Sequence, residues 1–318
     1  MGGGTGLPAV LEALKPQGGD PQSDCCQLSA IVTVTDDGGS SGRLRRGMGT
    51  LPPGDIRNCL VALSDAPEVM RDLFRYRFTG GDLEGHSLGN LLIAALADVT
   101  GDFATALRHV HDILAIRGRI YPSTLDSVQL LAERTDGSVV LGEHALPIPG
   151  KAVRRLKLHP EECSALPEAR QVLEEADLIL LGPGSLFTSV LPNLLVRDLA
   201  DSLRVTSALK VYLCNLTTQP GETDGFTASQ HVKALMDHVG PWVCDTVLCN
   251  TAPLPPDLSA QYSQSQAQAV EVDLPALQDL GCRVVGADLL AEGAYARHDP
   301  NKLKAILAEL VRNRVEAS

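Results

Sequence analysis

"MGGGTGLPAVLEALK", residues 1–15, decides the fold. Gly2, Gly3, Gly4 and Gly6 make a tight turn, and Leu7, Val10, Leu11 and Leu14 recur behind it at helical spacing. Pro8 suits a first helical turn. Gly4, Thr5 and Gly6, followed by Leu7, Pro8 and Ala9, fit the pattern G-x-G-x-x-G/A. Glycines there let the backbone approach a phosphate, and the helix start offers free N–H groups and a positive dipole end. Taken alone, the motif also describes an ordinary glycine turn. A turn of this kind is normally fed by a β-strand, and only Met1 precedes it. The expectation is that the chain as written has lost a short N-terminal segment, leaving residues 1–6 poorly anchored and ligand affinity weak.

The next apolar, β-branched run, "LSAIVTVT" at 28–35, reads as a buried strand. It ends at Asp36 and Asp37, where a dinucleotide fold places the carboxylate that holds a ribose. Either acid suits a ribose, a Mg²⁺ beside phosphate oxygens, or a general base; either could equally cap loop backbone. Residues 38–54, rich in Gly, Pro, Ser and Arg, read as a long functional loop. "GGSSGR", with Ser40 and Ser41, lacks the lysine of a P-loop. In "LPPGDIRNC" at 51–59, Pro53, Asp55, Arg57 and Asn58 gather at a helix start. Asp55 suits a cap, and Arg57 suits either a bidentate phosphate contact or an internal ion pair.

Helical patterns continue at 68–78, 88–99 and 103–116. "GHSLGN" sets His86, Ser87 and Asn90 together at the start of one of them, without an identifiable Asp partner for the histidine. His109 and His111 diverge on a helix, so no zinc site is expected. A hairpin is expected around Asp136 and Gly137, with a further strand at 153–158. From 168 onward helices alternate with strands at 178–181, 211–216, 246–249 and 284–285, and a helix at 302–315 closes the chain. Alternation means a mostly parallel sheet covered on both faces. The expected fold is a single α/β domain over 1–318, Rossmann-like and doubly wound, with a helical and β-hairpin insertion near 68–158. "LGPGSLFTSVLPN" after residues 178–181 is a second Gly-rich strand-to-helix turn, making Gly184 and Ser185 a second anion site. Asn215 follows the next strand in the same manner, and open α/β sheets bind ligands at such strand ends.

Composition narrows the partners. The 318 residues carry a net charge of -12 and 3 % aromatic residues. An acidic, aromatic-poor chain argues against a nucleic-acid or anionic-membrane partner but leaves room for one phosphorylated ligand. No apolar stretch approaches the roughly 18 residues needed to cross a bilayer, and no signal peptide is visible. Eight cysteines, Cys25 and Cys26 adjacent and no CxxC among them, fit reduced thiols in the cytoplasm.

As a set, "GGGTG", "TDDGGSSGRLR", "LPPGDIRNC", "HSLGN", "LGPGSLFTS" and "TQPGET" closely resemble the YvcK family of gluconeogenesis factors. That family sits in a wider CofD-like (UPF0052) superfamily with the 2-phospho-L-lactate transferase of coenzyme F420 synthesis. The resemblance covers essentially the whole chain. It implies a Rossmann-like cytoplasmic protein that binds UDP-sugars, UDP-N-acetylglucosamine or UDP-glucose, and serves cell shape, the cell wall and growth on gluconeogenic carbon sources, with no established reaction. By position it carries the glycines of 2–6, Asp36, Asp37 and "LPPGDIRN" into the ligand pocket. Family members carry an apolar strand before GGGTG, and this chain does not. The alternative is a CofD-like transferase moving a phospho-lactyl group from a nucleotide diphosphate, with Asp37 catalytic and holding Mg²⁺. No cofactor is otherwise required, and a homo-oligomer is expected.

Overall fold

The structure, a computed structural model, describes residues 1–16, 27–148 and 150–315. Cys25, Cys26 and most of the polar loop at 16–27 lie outside the described residues. The main sheet is parallel. On one side lie β1 (Ser29–Val32) and β2 (Arg119–Pro122). Three further strands, β3 (Gln129–Arg134), β4 (Val139–Leu141) and β5 (Val153–His159), form a separate antiparallel sheet in the order β4-β3-β5. The other side of the main sheet is β6 (Leu178–Leu181), β7 (Leu209–Leu213), β8 (Thr246–Asn250) and β9 (Arg283–Ala287), in sequence order.

Residues 1 and 2 join the two sides. The Gly2 N–H donates to Ile31 O (3.1 Å), and Gly2 O accepts from Thr33 N–H (3.2 Å). On the opposite edge Met1 O accepts from Gly182 N–H (2.9 Å), and the Met1 amino group donates to Leu180 O (2.6 Å). The resulting order is β2-β1-(1–2)-β6-β7-β8-β9. The first strand position is central, the next two strands run to one side, and the rest run to the other. This is the doubly wound nucleotide-fold order with one strand added. The expectation that residues 1–6 would be poorly anchored is corrected: Met1 is 8 % exposed and pairs with the β6 edge, while Gly2 pairs with β1.

The sheet is covered on both faces because successive side chains of a strand point oppositely. In β7, Val211 and Leu213 pack with Leu303, Leu307 and Leu310 of the helix Pro300–Val315. Tyr212, between them, belongs to the larger cluster on the other face. β8 repeats the alternation, with Leu248 on one face and Val247 and Cys249 on the other.

Three helices near the chain start shape the site: α1 (Gly6–Leu14), α2 (Gly39–Met48) and α3 (Gly54–Leu63). The loop expected at 38–54 is therefore corrected: most of it is α2. Its glycines weaken helical propensity by up to about 1 kcal/mol each, but tertiary fit overrides this. A Cβ on Gly42 would fall 1.8 Å from Asp37 O, so only glycine lets the helix follow the strand so closely. Gly49, at φ +67°, ends it. Helices Glu68–Arg75, Leu88–Thr100 and Phe103–Ile113 follow, the first stopping three residues short of the expected 78. The expected hairpin is the β3–β4 pair. β2 was not anticipated, and neither were the helices Pro256–Gln264 and Leu274–Asp279.

Asn193 fastens the joint between the two halves. It is 0 % exposed, and its Nδ2 donates to Gly2 O (3.1 Å) and Ser189 O (2.8 Å). Asn193→Ala is expected to cost about 1–2 kcal/mol in urea unfolding, the lower end of the range because Asn193 Oδ1 has no partner to lose. A loss below about 0.5 kcal/mol would show that the joint does not depend on this side chain.

Candidate functional site

The two Gly-rich turns meet at the carboxyl ends of the central strands. The first, residues 2–6, leads from the 1–2 strand position into α1. The second, residues 182–185, leads from β6 into a π-helical turn, Leu186–Val190. A Cβ on Gly184 would lie 3.2 Å from Gly3 O, and one on Gly6 would lie 3.2 Å from Pro183 Cγ. Gly4 takes φ +64° and Gly184 φ +146°, conformations that favour glycine. Together the turns floor a cleft of about 520 Å³ that Gly4, Thr5, Gly6, Gly184, Ser185 and Asn215 all line. A smaller lobe of about 200 Å³ shares Glu143, Thr188 and Glu222 with it.

The carboxylates have separate partners. Asp55, on the first turn of α3, accepts from Gly4 N–H (2.7 Å). A Cβ on Gly3 would fall 2.7 Å from the same Asp55 oxygen, so the turn and the acid fit each other closely. Burial pushes the Asp55 carboxyl up to about 6, and nearby Asp36 pushes the same way. Asp36 accepts from Gly38 N–H (2.9 Å) and faces the smaller lobe. Asp37 accepts from His144 N–H (2.8 Å), and its other oxygen lies against Gly142. Both acids of the pair therefore cap backbone. Glu143 accepts from Thr35 Oγ1 (3.3 Å), and burial together with Asp36, Asp55, Asp37 and Glu222 raises its carboxyl well above the usual range. Glu222, 6 % exposed, accepts from Ser185 Oγ, and burial raises it too.

The remaining expected residues form a shell behind α2 and α3. Ser41 Oγ accepts from Gly54 N–H (3.2 Å). Ser40 Oγ lies 3.1 Å from His86 Nδ1. Pro53 is the buried residue that precedes α3. Arg57 is buried and donates to Ser87 Oγ (2.5 Å), Asn58 Oδ1 (2.6 Å) and Phe74 O (3.4 Å). These partners are neutral groups, in place of the acid that an internal ion pair would supply. Asn90 is buried in the helix Leu88–Thr100, with its Oδ1 unpartnered. None of these seven residues lines the cleft or its smaller lobe.

Several lining residues were not singled out from sequence. Glu222 is the penultimate residue of the quoted motif "TQPGET", and Glu143 follows β4 in "LGEH". Thr188 sits in "LFTS" at the junction of the two lobes. The far wall is Tyr262, Tyr295 and Arg297. It is held by Tyr262 Oη accepting from Ala296 N–H (3.1 Å) and by His298 Nε2 donating to Cys214 O (3.1 Å). Burial pushes the His298 imidazole down to about 4, so it stays neutral. Among the described residues no three His, Cys, Asp or Glu side chains are grouped to hold a metal ion.

Known proteins extend this geometry. The family model for 2-phospho-L-lactate transferase CofD matches residues 1–290, stopping short of the wall at 295–298. A gluconeogenesis factor of Bacillus subtilis (strain 168) is 45 % identical over 314 residues, covering 98 % of this chain and 97 % of that one. One from Halalkalibacterium halodurans is 43 % identical over 311 residues, covering 97 % and 94 %. A crystal structure of a UPF0052 family member from Bacillus halodurans superposes with a TM-score of 0.92 at 44 % identity, covering 96 % of this chain and 97 % of that one.

Asp55 makes stability depend on pH. With its folded value near 6 and its ordinary value 3.8, the folded protein keeps a proton that the unfolded chain loses across about pH 4–6. This group's contribution is therefore most favourable below about pH 4 and falls as pH rises to 6, by no more than about 3 kcal/mol. Asp55→Asn keeps an acceptor for Gly4 N–H and removes the charge. It is expected to raise stability at pH 7 relative to pH 4.5, measured by urea unfolding at both. An unchanged difference between the two pH values would show that Asp55 ionises normally.

Proposed function

From the premise that the chain belongs to the CofD family, we propose that it is a nucleotide-sugar-binding factor, with UDP-N-acetylglucosamine or UDP-glucose in the cleft. One observation carries this reading: two Gly-rich turns face each other where the sheet reverses its strand order. Open α/β sheets bind ligands at that point, and each turn presents N–H groups at a helix start. A cleft of about 520 Å³ is of the size that small-molecule sites take. The diphosphate lies over the turns, near Thr5, Gly6 and Ser185. In this reading the protein acts in the cytoplasm, as a homo-oligomer, and supports cell shape and growth on gluconeogenic carbon sources; the relatives' name, gluconeogenesis factor, supports the last of these.

The second reading is a transferase that moves a phospho-lactyl group from a nucleotide diphosphate, favoured by the family match over 1–290. It would need Mg²⁺ at Asp37. The residues do not fit that role as placed: one Asp37 oxygen takes the His144 N–H, and the other stands against Gly142.

The test is a melting experiment with UDP-N-acetylglucosamine, UDP-glucose and NADPH, with and without Mg²⁺, followed by product analysis. A UDP-sugar at about 100 times its Kd is expected to add about 2.7 kcal/mol of stability. NADPH is expected to undergo no turnover. Absence of any shift with uridine nucleotides at millimolar concentration would reject the reading, and transfer of a phospho-lactyl group in the product assay would favour the second.

A further inference from the structure

The smaller lobe has a chemistry of its own. Asp36, Glu143 and Glu222 line it together with His144 and Thr188, and no lysine or arginine does. A diphosphate is repelled there, whereas the glycine turns suit it. Two side chains at the mouth of the lobe each keep one oxygen without an internal partner among the described residues. Thr188 is 7 % exposed, and its Oγ1 makes no hydrogen bond among the described residues. Glu222 is 6 % exposed; Ser185 occupies one of its oxygens, and the other is unpartnered among the described residues. Neither oxygen is sealed away from the lobe they line, so both stand open to a bound group that can hydrogen-bond them. The partners such atoms select are hydroxyl and amide groups.

We infer that this lobe is the glycosyl subsite, taking the uncharged, hydroxyl-bearing ring of a nucleotide sugar against Thr188, Glu143 and Glu222. The inference rests on the nucleotide-sugar reading above and fixes the ligand's direction. The sugar points toward β4 and Glu143, the diphosphate crosses the turns, and the base points toward Tyr262 and Tyr295. Glu143 and Glu222 offer carboxyl oxygens that accept from sugar hydroxyls. The chain therefore distinguishes a nucleotide sugar from the bare nucleotide.

Calorimetry with UDP-N-acetylglucosamine, UDP-glucose and UDP tests this on the full chain and on Thr188→Val, Glu222→Gln and Thr188→Ser. The full chain is expected to bind a UDP-sugar at least about tenfold tighter than UDP, a difference of about 1.4 kcal/mol. Thr188→Val and Glu222→Gln are expected to bring that ratio below about threefold, and Thr188→Ser, which keeps the hydroxyl, to restore it. Circular-dichroism melting of each variant identifies any that fails to fold, and the remaining variant then decides. Equal affinity of the full chain for UDP and its sugars would overturn the subsite while leaving the nucleotide reading standing. So would a tenfold ratio that neither variant changes, which would put the sugar elsewhere. Binding of neither UDP nor its sugars would reject both.

Discussion

The architecture depends on a two-residue hydrogen-bonded joint. Met1 and Gly2 pair with β1 through Ile31 and Thr33, and with the β6 edge through Leu180 and Gly182. Without these bonds two parallel sheets of two and four strands would each present an unpaired edge inside the molecule, where an unmet N–H or C=O is costly. With them a seven-position sheet forms, and its order reverses at the joint. The reversal parts the connections on either side of the glycine turns, and the cleft occupies that gap. Placement of the site and continuity of the sheet therefore have one physical cause.

The same joint explains the demand for small residues. Gly3 faces Asp55, Gly4 faces Ser189, Gly6 faces Pro183 and Gly184 faces Gly3 O, each at a distance that a Cβ would contest. Two turns far apart in sequence share one small volume. The volume is filled from outside by α3, whose Asp55 takes the Gly4 N–H. The carboxylate therefore serves as part of the turn's scaffold, and its raised pKa follows from being held there out of water.

Much of this was readable from sequence because its signals are local. The runs at 28–35, 178–181 and 246–249 are apolar, bounded by polar or glycine residues, and appear as β1, β6 and β8. What was missed depends on distant partners. β2, "RIYP", is four residues long, lies at the sheet edge and ends in proline, so it carries little strand signal. α2 carries glycines at 39, 42 and 47, which read as loop, yet Gly42 is what the packing against Asp37 requires. Glu143 sits after a three-residue strand, and its nearness to Asp36 spans 107 positions of chain. The glycine turns and Asp55 were legible because glycine and a helix-start acid announce their conformations. Arg57 was ambiguous because an arginine's direction is set by what surrounds it, here Ser87 and Phe74.

The last step concerns charge. A chain of net charge -12 that binds an anion must keep its acids from the phosphate or keep them neutral. Both devices are present. Asp36 and Asp37 are turned onto the backbone N–H groups of Gly38 and His144. Glu143 and Glu222 lie where burial shifts their carboxyls toward the protonated form. In the proposed complex the attraction for a diphosphate would come from the turn N–H groups and from Arg297 on the far wall. The proposed selectivity would follow from geometry: N–H groups on the cleft floor suit an anion, while the smaller lobe is lined by carboxyl and hydroxyl groups. A molecule with a charged middle and an uncharged, hydroxyl-rich end satisfies both regions together, and a bare diphosphate leaves the second unfilled.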